Sequence, residues 1–214
     1  MISLTSLLLI GPTGSGKTPL GETIEKKGIW GKRCFHFDFG AQLRQINNHS
    51  SDATPFEKNE KNIIKKSLET GRLLEKNQFY IAEKILNLFI EKNSLRKNDL
   101  LILNGLPRHR DQVSDLYPLL KIIMVLYLDC KPEILFERIR KNSGGDRNGR
   151  TDDTVDDIKK KLRIFNQRTA PLIDYFKTKN ITIKRFEIRT ETTVDSIIQK
   201  LKRLKPVSFK INLV

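Results

Sequence analysis

Eight residues near the N-terminus, Gly11-Pro12-Thr13-Gly14-Ser15-Gly16-Lys17-Thr18, constrain the fold more than any other feature of the chain. They match the pattern G-x-x-x-x-G-K-(S/T) in full. Such a loop wraps so that successive N–H groups point inward at a polyphosphate. It works where a strand hands over to the N-terminus of a helix, whose dipole adds its own attraction for anions. Both flanks agree. Leu7-Leu8-Leu9-Ile10 is a continuous apolar run, as expected of a parallel strand covered on both faces. Pro19 suits the first turn of a helix. Gly11, Thr13, Gly14, Ser15 and Gly16 are therefore expected to cradle phosphates. Lys17 is expected to reach the β- and γ-phosphates as a mobile point charge. The Thr18 hydroxyl is expected to ligate Mg²⁺ directly.

Beyond this loop, strand and helix patterns alternate. Cys34 to Asp38 reads as a strand, Gly40 to Asn47 as a helix and Asn48 to Pro55 as a polar loop. Helical patterns cover about Phe56 to Thr70 and Asn77 to Asn93, punctuated by Gly71. Leu100 to Leu103 and Ile122 to Leu128 read as buried strands, and Pro132 to Lys141 as a helix. Asn142 to Gly149 is a Gly/Asn-rich loop. Thr154 to Lys179 is one long helical pattern that bends at Pro171. Ile181 to Ile188 reads as a strand and Val194 to Leu204 as a final helix. The tail from Val207 to Val214 alternates as a strand does, but follows Pro206. The expected fold class is α/β: three layers, with a central parallel sheet of about five strands. Ligands of such sheets sit beyond the carboxyl ends of the strands. Asp38 and Asn104 lie at that edge, beside the phosphate loop.

A chain of 214 residues fits one domain with a full core. The net charge of +15 raises the question of nucleic acid. Its lysines, however, are scattered and alternate with Glu and Asp, which reads as a solvated face; no nucleic-acid partner is expected. Cys34 and Cys130 lie in or beside apolar strands, without metal-ligand or disulfide spacing. His36, His49 and His109 are dispersed and are assigned no chemistry. The apolar start runs straight into the loop, as a core strand does and a signal peptide does not. No apolar stretch has membrane-spanning length. A soluble, cytoplasmic protein is expected.

The basic residues at turns say more about use. Arg44 follows the second strand, Arg108 the third; Arg138 and Arg150 flank the Gly-rich loop, and Lys161 follows it. Phosphoryl transfer needs this kind of equipment, because alignment and cations do most of the work. A longer pattern then emerges: the phosphate loop, Gly40-x-x-Leu43-Arg44, Gly71-x-Leu73-Leu74, Gly105-Leu106-Pro107-Arg108-x-x-x-Gln112, Gly149-Arg150-x-Asp152-Asp153 and Thr169-Ala170-Pro171-Leu172-Ile173-x-Tyr175. In this order they resemble the adenylate kinase and nucleoside monophosphate kinase family from about Leu7 to Leu201. The fourth segment is similar to that family's D-G-F-P-R-x-x-x-Q signature.

The resemblance implies ATP and Mg²⁺ as cofactors and transfer of the γ-phosphate to a nucleoside monophosphate, AMP by default. Lys17, Arg108, Arg150 and Lys161 would act on the transferring phosphate, and Arg138 would lie against the donor base. Arg44 and Arg108 would grip the acceptor phosphate. Gln112 would hydrogen-bond the acceptor base, with Phe39, Gly40, Leu73, Leu74 and Gly105 around the acceptor, and Asp152 would hold the lid arginines. It also implies a core (1–39, 79–141, 154–205), an acceptor-binding insert at about 40–78, a short lid at about 142–153, a tail (206–214) and a monomer. Insert and lid would close over the substrates.

Several positions depart from the family pattern. Asn104 stands where an Asp usually helps hold Mg²⁺ through water, and Thr18 where Gly is usual. Phe39 replaces a Thr; it either meets the base or is a core aromatic. Asp38 replaces a small hydroxyl residue, which leaves open a change in acceptor recognition or a share of the missing acidic role. Asn142 stands where a second lid Arg falls, with Arg140 and Arg147 nearby, and Lys161 replaces an Arg. These changes point to a divergent member with slower turnover or another acceptor. Two other readings stand beside it. One is a nucleotide-binding regulator impaired by Asn104. The other rests on the likeness of Gly11 to Thr18 to the opening of tRNA dimethylallyltransferases, against which the later segments count.

Overall fold

The computed structural model describes residues 4–48, 55–146 and 154–204. Five strands, β1 (Leu4–Ile10), β2 (Cys34–Asp38), β3 (Leu100–Asn104), β4 (Leu120–Cys130) and β5 (Thr182–Ile188), form one sheet in the order β2-β3-β1-β4-β5. All ladders are parallel. Parallel neighbours need crossovers, so helices fill both faces: α1 (Lys17–Lys27), α2 (Phe39–Asn48), α3 (Lys58–Thr70), α4 (Phe79–Lys92), α5 (Arg110–Leu116), α6 (Pro132–Arg140), α7 (Val155–Ile164), α8 (Leu172–Thr178) and α9 (Val194–Lys202). The three-layer α/β/α arrangement expected from the alternation is the one observed.

Side-chain alternation along β1 sorts the core into two clusters. Leu8 and Ile10 pack with Phe37, Leu103, Ile81 and Phe176, on the side of α4 and α8. Leu7 and Leu9 pack with Ile102, Leu20, Leu135 and Ile198, on the side of α1, α6 and α9. Each such side chain contributes about 1.5–3 kcal/mol by leaving water. The ladder to β4 skips a residue: Ser6 pairs with Ile122 and Leu7 with Met124. Ile123 is thus a bulge, and it shares a face with Met124.

The register sets the site. Asp38 pairs with Asn104 across β2 and β3, and Asn104 pairs with Leu9 across β3 and β1. Three strand ends therefore finish together at the start of the phosphate loop.

Element boundaries differ from expectation in instructive places. Phe56 precedes α3, which opens at Lys58 through a capping box of Glu57 and Glu60. The α2 helix starts at Phe39 because Asp38 Oδ1 accepts the Ala41 N–H at 2.9 Å, an N-cap. The short helix α5 has no counterpart in the sequence reading. The long pattern from Thr154 divides into α7, a π-helical turn at Phe165–Thr169 and α8. Pro171 precedes α8 and has no N–H to carry the helical ladder across. Most of the polar loop after Asn48, the lid beyond Asp146 and the tail lie outside the described residues.

Candidate active site

The cleft at the carboxyl ends of β1, β2 and β3 encloses about 1350 Å³ of space open to solvent. Among the described residues, five basic ones line it, Lys17, Arg44, Arg72, Arg108 and Lys161, against two acidic ones, Asp38 and Asp146. That balance favours a polyanion.

The phosphate loop forms one wall. A Cβ on Gly11 would stand 2.6 Å from Ser15 Oγ and 2.7 Å from the Leu128 carbonyl oxygen, so only glycine fits. Gly16 holds φ at 94° as the N-cap of α1, a left-handed conformation that glycine adopts without penalty. Ser15 is 1% exposed, and its Oγ has no partner among the described residues. The Lys17 ammonium donates to the Gly11 and Pro12 carbonyls at 2.7 and 2.8 Å, folded back across the loop. Thr13, Gly14 and Thr18 line the same wall.

Beside the loop, the strand ends form a hydrogen-bonded cluster. Thr18 Oγ1 donates to Asp38 Oδ2 at 2.7 Å. Asn104 Nδ2 donates to the same Oδ2 at 2.8 Å and to Thr18 Oγ1 at 3.1 Å. The buried His36 stands behind, its Nε2 3.4 Å from Asn104 Nδ2. Burial holds the His36 imidazole below its ordinary pKa, opposed by the charges of Asp38 and Glu25. The sequence assigns His36 no chemistry, because no local pattern reveals that it backs Asn104.

The opposite wall carries the residues expected around an acceptor. Phe39 is 6% exposed and packs 6.1 Å from the Phe37 ring, so it is a core aromatic that also reaches the cleft. A Cβ on Gly40 would crowd Asp38 Oδ1 at 3.3 Å and Arg44 Nη1 at 3.4 Å. Arg44 and Arg108 point into the cleft from α2 and from the loop after β3, and neither side chain has a hydrogen-bond partner among the described residues. Burial holds the Arg108 guanidinium below its ordinary pKa, and the charge of Asp38 opposes that shift. A desolvated guanidinium without a partner fits an incoming anion. Gly105 (φ 84°) brings the backbone close to Phe39.

Behind this wall, Gln112 is 1% exposed and committed at both ends. Its Oε1 accepts from the Arg108 N–H at 2.7 Å, and its Nε2 donates to the Leu74 carbonyl at 2.8 Å. The His109 Nε2 lies 2.9 Å from the same carbonyl. Gln112 lines the cleft, but its polar atoms serve to hold the Leu73–Leu74 strap to the Arg108 loop. The π-helical turn adds two ties. Thr169 Oγ1 donates to the Arg108 carbonyl at 2.8 Å, and Arg168 forms a forked pair with Glu75 at 3.1 and 2.9 Å. That pair holds the Glu75 carboxyl below its usual range.

Arg138 is 6% exposed and donates through Nη1 to the carbonyls of Arg189, Thr190 and Thr192 at 2.9–3.2 Å. Here it fastens the loop between β5 and α9 and packs behind Gly16; a Cβ there would lie 3.5 Å from Arg138 Nη2. Asn142 adopts φ 45° just past α6, a conformation Asn tolerates better than most residues. Lys161 on α7 lines the cleft. Arg147, Arg150 and Asp152 lie outside the described residues. Cys34 and Cys130 are both buried, and burial pushes each thiol up to about 11. No helix among the described residues is long and apolar enough to cross a membrane.

The family model for adenylate kinase matches residues 9–181. An adenylate kinase of Prochlorococcus marinus is 30% identical over 176 residues, 80% of this chain and 84% of that protein. A uridylate kinase of Saccharomyces cerevisiae is 26% identical over 141 residues, and the chain spans 65% of its length. A probable UMP-CMP kinase of Arabidopsis thaliana is 27% identical, covering 89% of this chain and 65% of that one. The solved shikimate kinase of Bacteroides thetaiotaomicron superposes at a TM-score of 0.48 and 19% identity, covering 93% of this chain and 96% of that one.

Proposed function

The chain belongs to the adenylate kinase family of nucleoside monophosphate kinases, and on that premise we propose that it moves the γ-phosphate of ATP reversibly to AMP, giving two ADP. The observation that carries the reading is one cleft with a phosphate loop on one side and, on the other, two guanidinium groups, Arg44 and Arg108, that have no hydrogen-bond partner among the described residues. A nucleotide on the loop and a monophosphate on the arginines would bring donor and acceptor phosphates together between them.

In this reading Lys17 exchanges its two carbonyl acceptors for phosphate oxygens. The acceptor phosphate, gripped by Arg44 and Arg108, presents an oxygen to the γ-phosphorus. A bond forms there as the bond to the β-phosphate oxygen breaks, and ADP leaves on each side. Lys17, Arg108, Arg150 and Lys161 offset the charge spread over the transferring group. Mg²⁺, when bound, would neutralise the β- and γ-oxygens. The site fits it, because a divalent ion of this kind needs only one or two protein oxygens beside substrate phosphates and water. The Thr18 hydroxyl would hold the ion directly, with Asp38 and Asn104 hydrogen-bonded to it. Asn104 is expected to contribute through water, although its amide nitrogen faces Thr18. Phe39, Gly40, Leu73, Leu74, Gly105 and Gln112 surround the acceptor, and Arg138 backs the donor end. Asp152 steadies the lid. The insert (40–78) and lid (142–153) close to exclude water, so phosphate goes to the acceptor and not to hydrolysis. The enzyme works as a cytoplasmic monomer.

A dinucleotide joining two adenosines through five phosphates spans both halves of such a site. It is expected to bind the wild type at least tenfold more tightly than ADP does and to lose that advantage in Arg108→Ala. Equal affinity for the dinucleotide and ADP would contradict the two-site reading.

A further inference from the structure

We propose that the carboxylate that holds Mg²⁺ in this kinase is Asp38, at the end of β2, and that Asn104, at the end of β3, is its uncharged partner. The inference rests on the kinase reading above and names the metal-holding residue within it. The two positions are register partners on adjacent strands, so either can present a charge at the same point of the sheet edge. Asp38 divides its oxygens. Its Oδ1 caps α2 through the Ala41 N–H, at 2.9 Å. Its Oδ2 accepts the Thr18 hydroxyl proton at 2.7 Å and the Asn104 amide at 2.8 Å.

Each of these bonds has a consequence for the metal. A carboxylate only accepts, so the atom of Asn104 facing it is the NH₂ group. That group also donates to Thr18 Oγ1 at 3.1 Å, so the Asn104 amide nitrogen is committed to Asp38 and Thr18 and brings no charge of its own to a cation. The Thr18 hydroxyl donates its hydrogen bond to Asp38 and accepts one N–H from Asn104. One lone pair remains, and its donor is oriented and made more basic by the carboxylate behind it. Asp38 thus supplies the negative charge and fixes the ligand. An Asp at position 104 would set a second acceptor against Asp38 and remove the N–H groups that now reach Asp38 and Thr18. Asn104 is then the residue that fixes Asp38 and Thr18 in place.

The test is a titration of Mg²⁺ into the protein·ADP complex, read by calorimetry, with ADP affinity in chelator as the control. Four proteins are compared: wild type, Asp38→Asn, Asn104→Asp and the double exchange. Asn is as good a helix cap as Asp, so Asp38→Asn keeps α2 and metal-free ADP binding. It is expected to weaken Mg²⁺ by about 10–100-fold, the usual cost of losing a partner behind a metal ligand. Asn104→Asp alone is expected to bind Mg²⁺ no better than wild type, and the double exchange to recover most of the Asp38→Asn loss. Unchanged Mg²⁺ affinity in Asp38→Asn, or tighter Mg²⁺ in Asn104→Asp alone, would overturn the assignment while leaving the kinase reading intact. Absence of ADP binding in wild type would overturn both. Should Asp38→Asn melt at lower temperature, Asn104→Asp and the double exchange still decide.

Discussion

At the scale of single residues, Lys17 and Arg108 face the cleft as cations suited to an incoming phosphate. Lys17 rests on two neutral carbonyls, which a phosphate outcompetes because charge-assisted bonds are about twice as strong. Arg108 has neither carbonyl nor carboxylate to bind among the described residues. Its planar fork matches a phosphate in a way an ammonium does not. Arg108→Lys is therefore expected to raise the KM for the acceptor and lower kcat by about tenfold or more, while the KM for ATP stays within about twofold. Equal losses for both substrates would place Arg108 elsewhere. The loop residues were legible from sequence because phosphate chemistry fixes both residue type and spacing. The Asp38–Asn104 pair was not: the two are 66 residues apart, and register between strands cannot be read from either one. Asn104 alone looked like a loss; next to Asp38 it is a complement.

At the scale of elements, the turns behind the cleft decide where the arginines sit. The π-helical turn places Thr169 against the Arg108 backbone and Arg168 against the strap. Thr169→Val keeps the volume and removes one buried hydrogen bond, so stability is expected to fall by about 1 kcal/mol. Acceptor kcat/KM is expected to fall further, toward 100-fold, because small displacements of a positioning group are costly. Thermal melting and acceptor kinetics together check this; a loss of stability alone would contradict it. The far ends of β2 and β3 are tied by Asp99, which is 5% exposed and accepts from Arg33 Nε at 3.0 Å, from Arg33 Nη2 at 2.6 Å and from the Arg96 N–H at 2.7 Å. Hydrogen bonding to Arg33 holds the Asp99 carboxyl below its ordinary 3.8. A depressed carboxyl stabilises the fold above that ordinary value and loses the contribution as pH falls through the folded one. Asp99→Asn is expected to cost about 1–3 kcal/mol at pH 7 and to flatten the acid limb of the melting curve below pH 4. An acid limb as steep as that of wild type would argue against it. The strands were legible from their apolar runs, but α5 was too short to show a period. The π-helical turn was hidden because α7 and α8 share one helical pattern across it.

At the scale of the molecule, the order β2-β3-β1-β4-β5 gathers three strand ends at one edge, and Lys17, Arg44 and Arg108 lie on the segments that leave them. The alternation of strands and helices made the layers readable from sequence; the strand order, which turns scattered arginines into one site, was not. The net charge of +15 does not by itself distinguish a nucleotide enzyme from a nucleic-acid binder; five cations in one cleft give part of it a local use. The most direct test is a coupled assay of diphosphate formation with ATP, Mg²⁺ and each of AMP, CMP, UMP, GMP and dTMP in turn, with Lys17→Ala as the blank. Turnover with AMP that exceeds the other acceptors and falls by about 100-fold or more in the blank is the expected result. ATP binding without diphosphate product from any acceptor would contradict the account and leave a nucleotide-binding regulator on this scaffold.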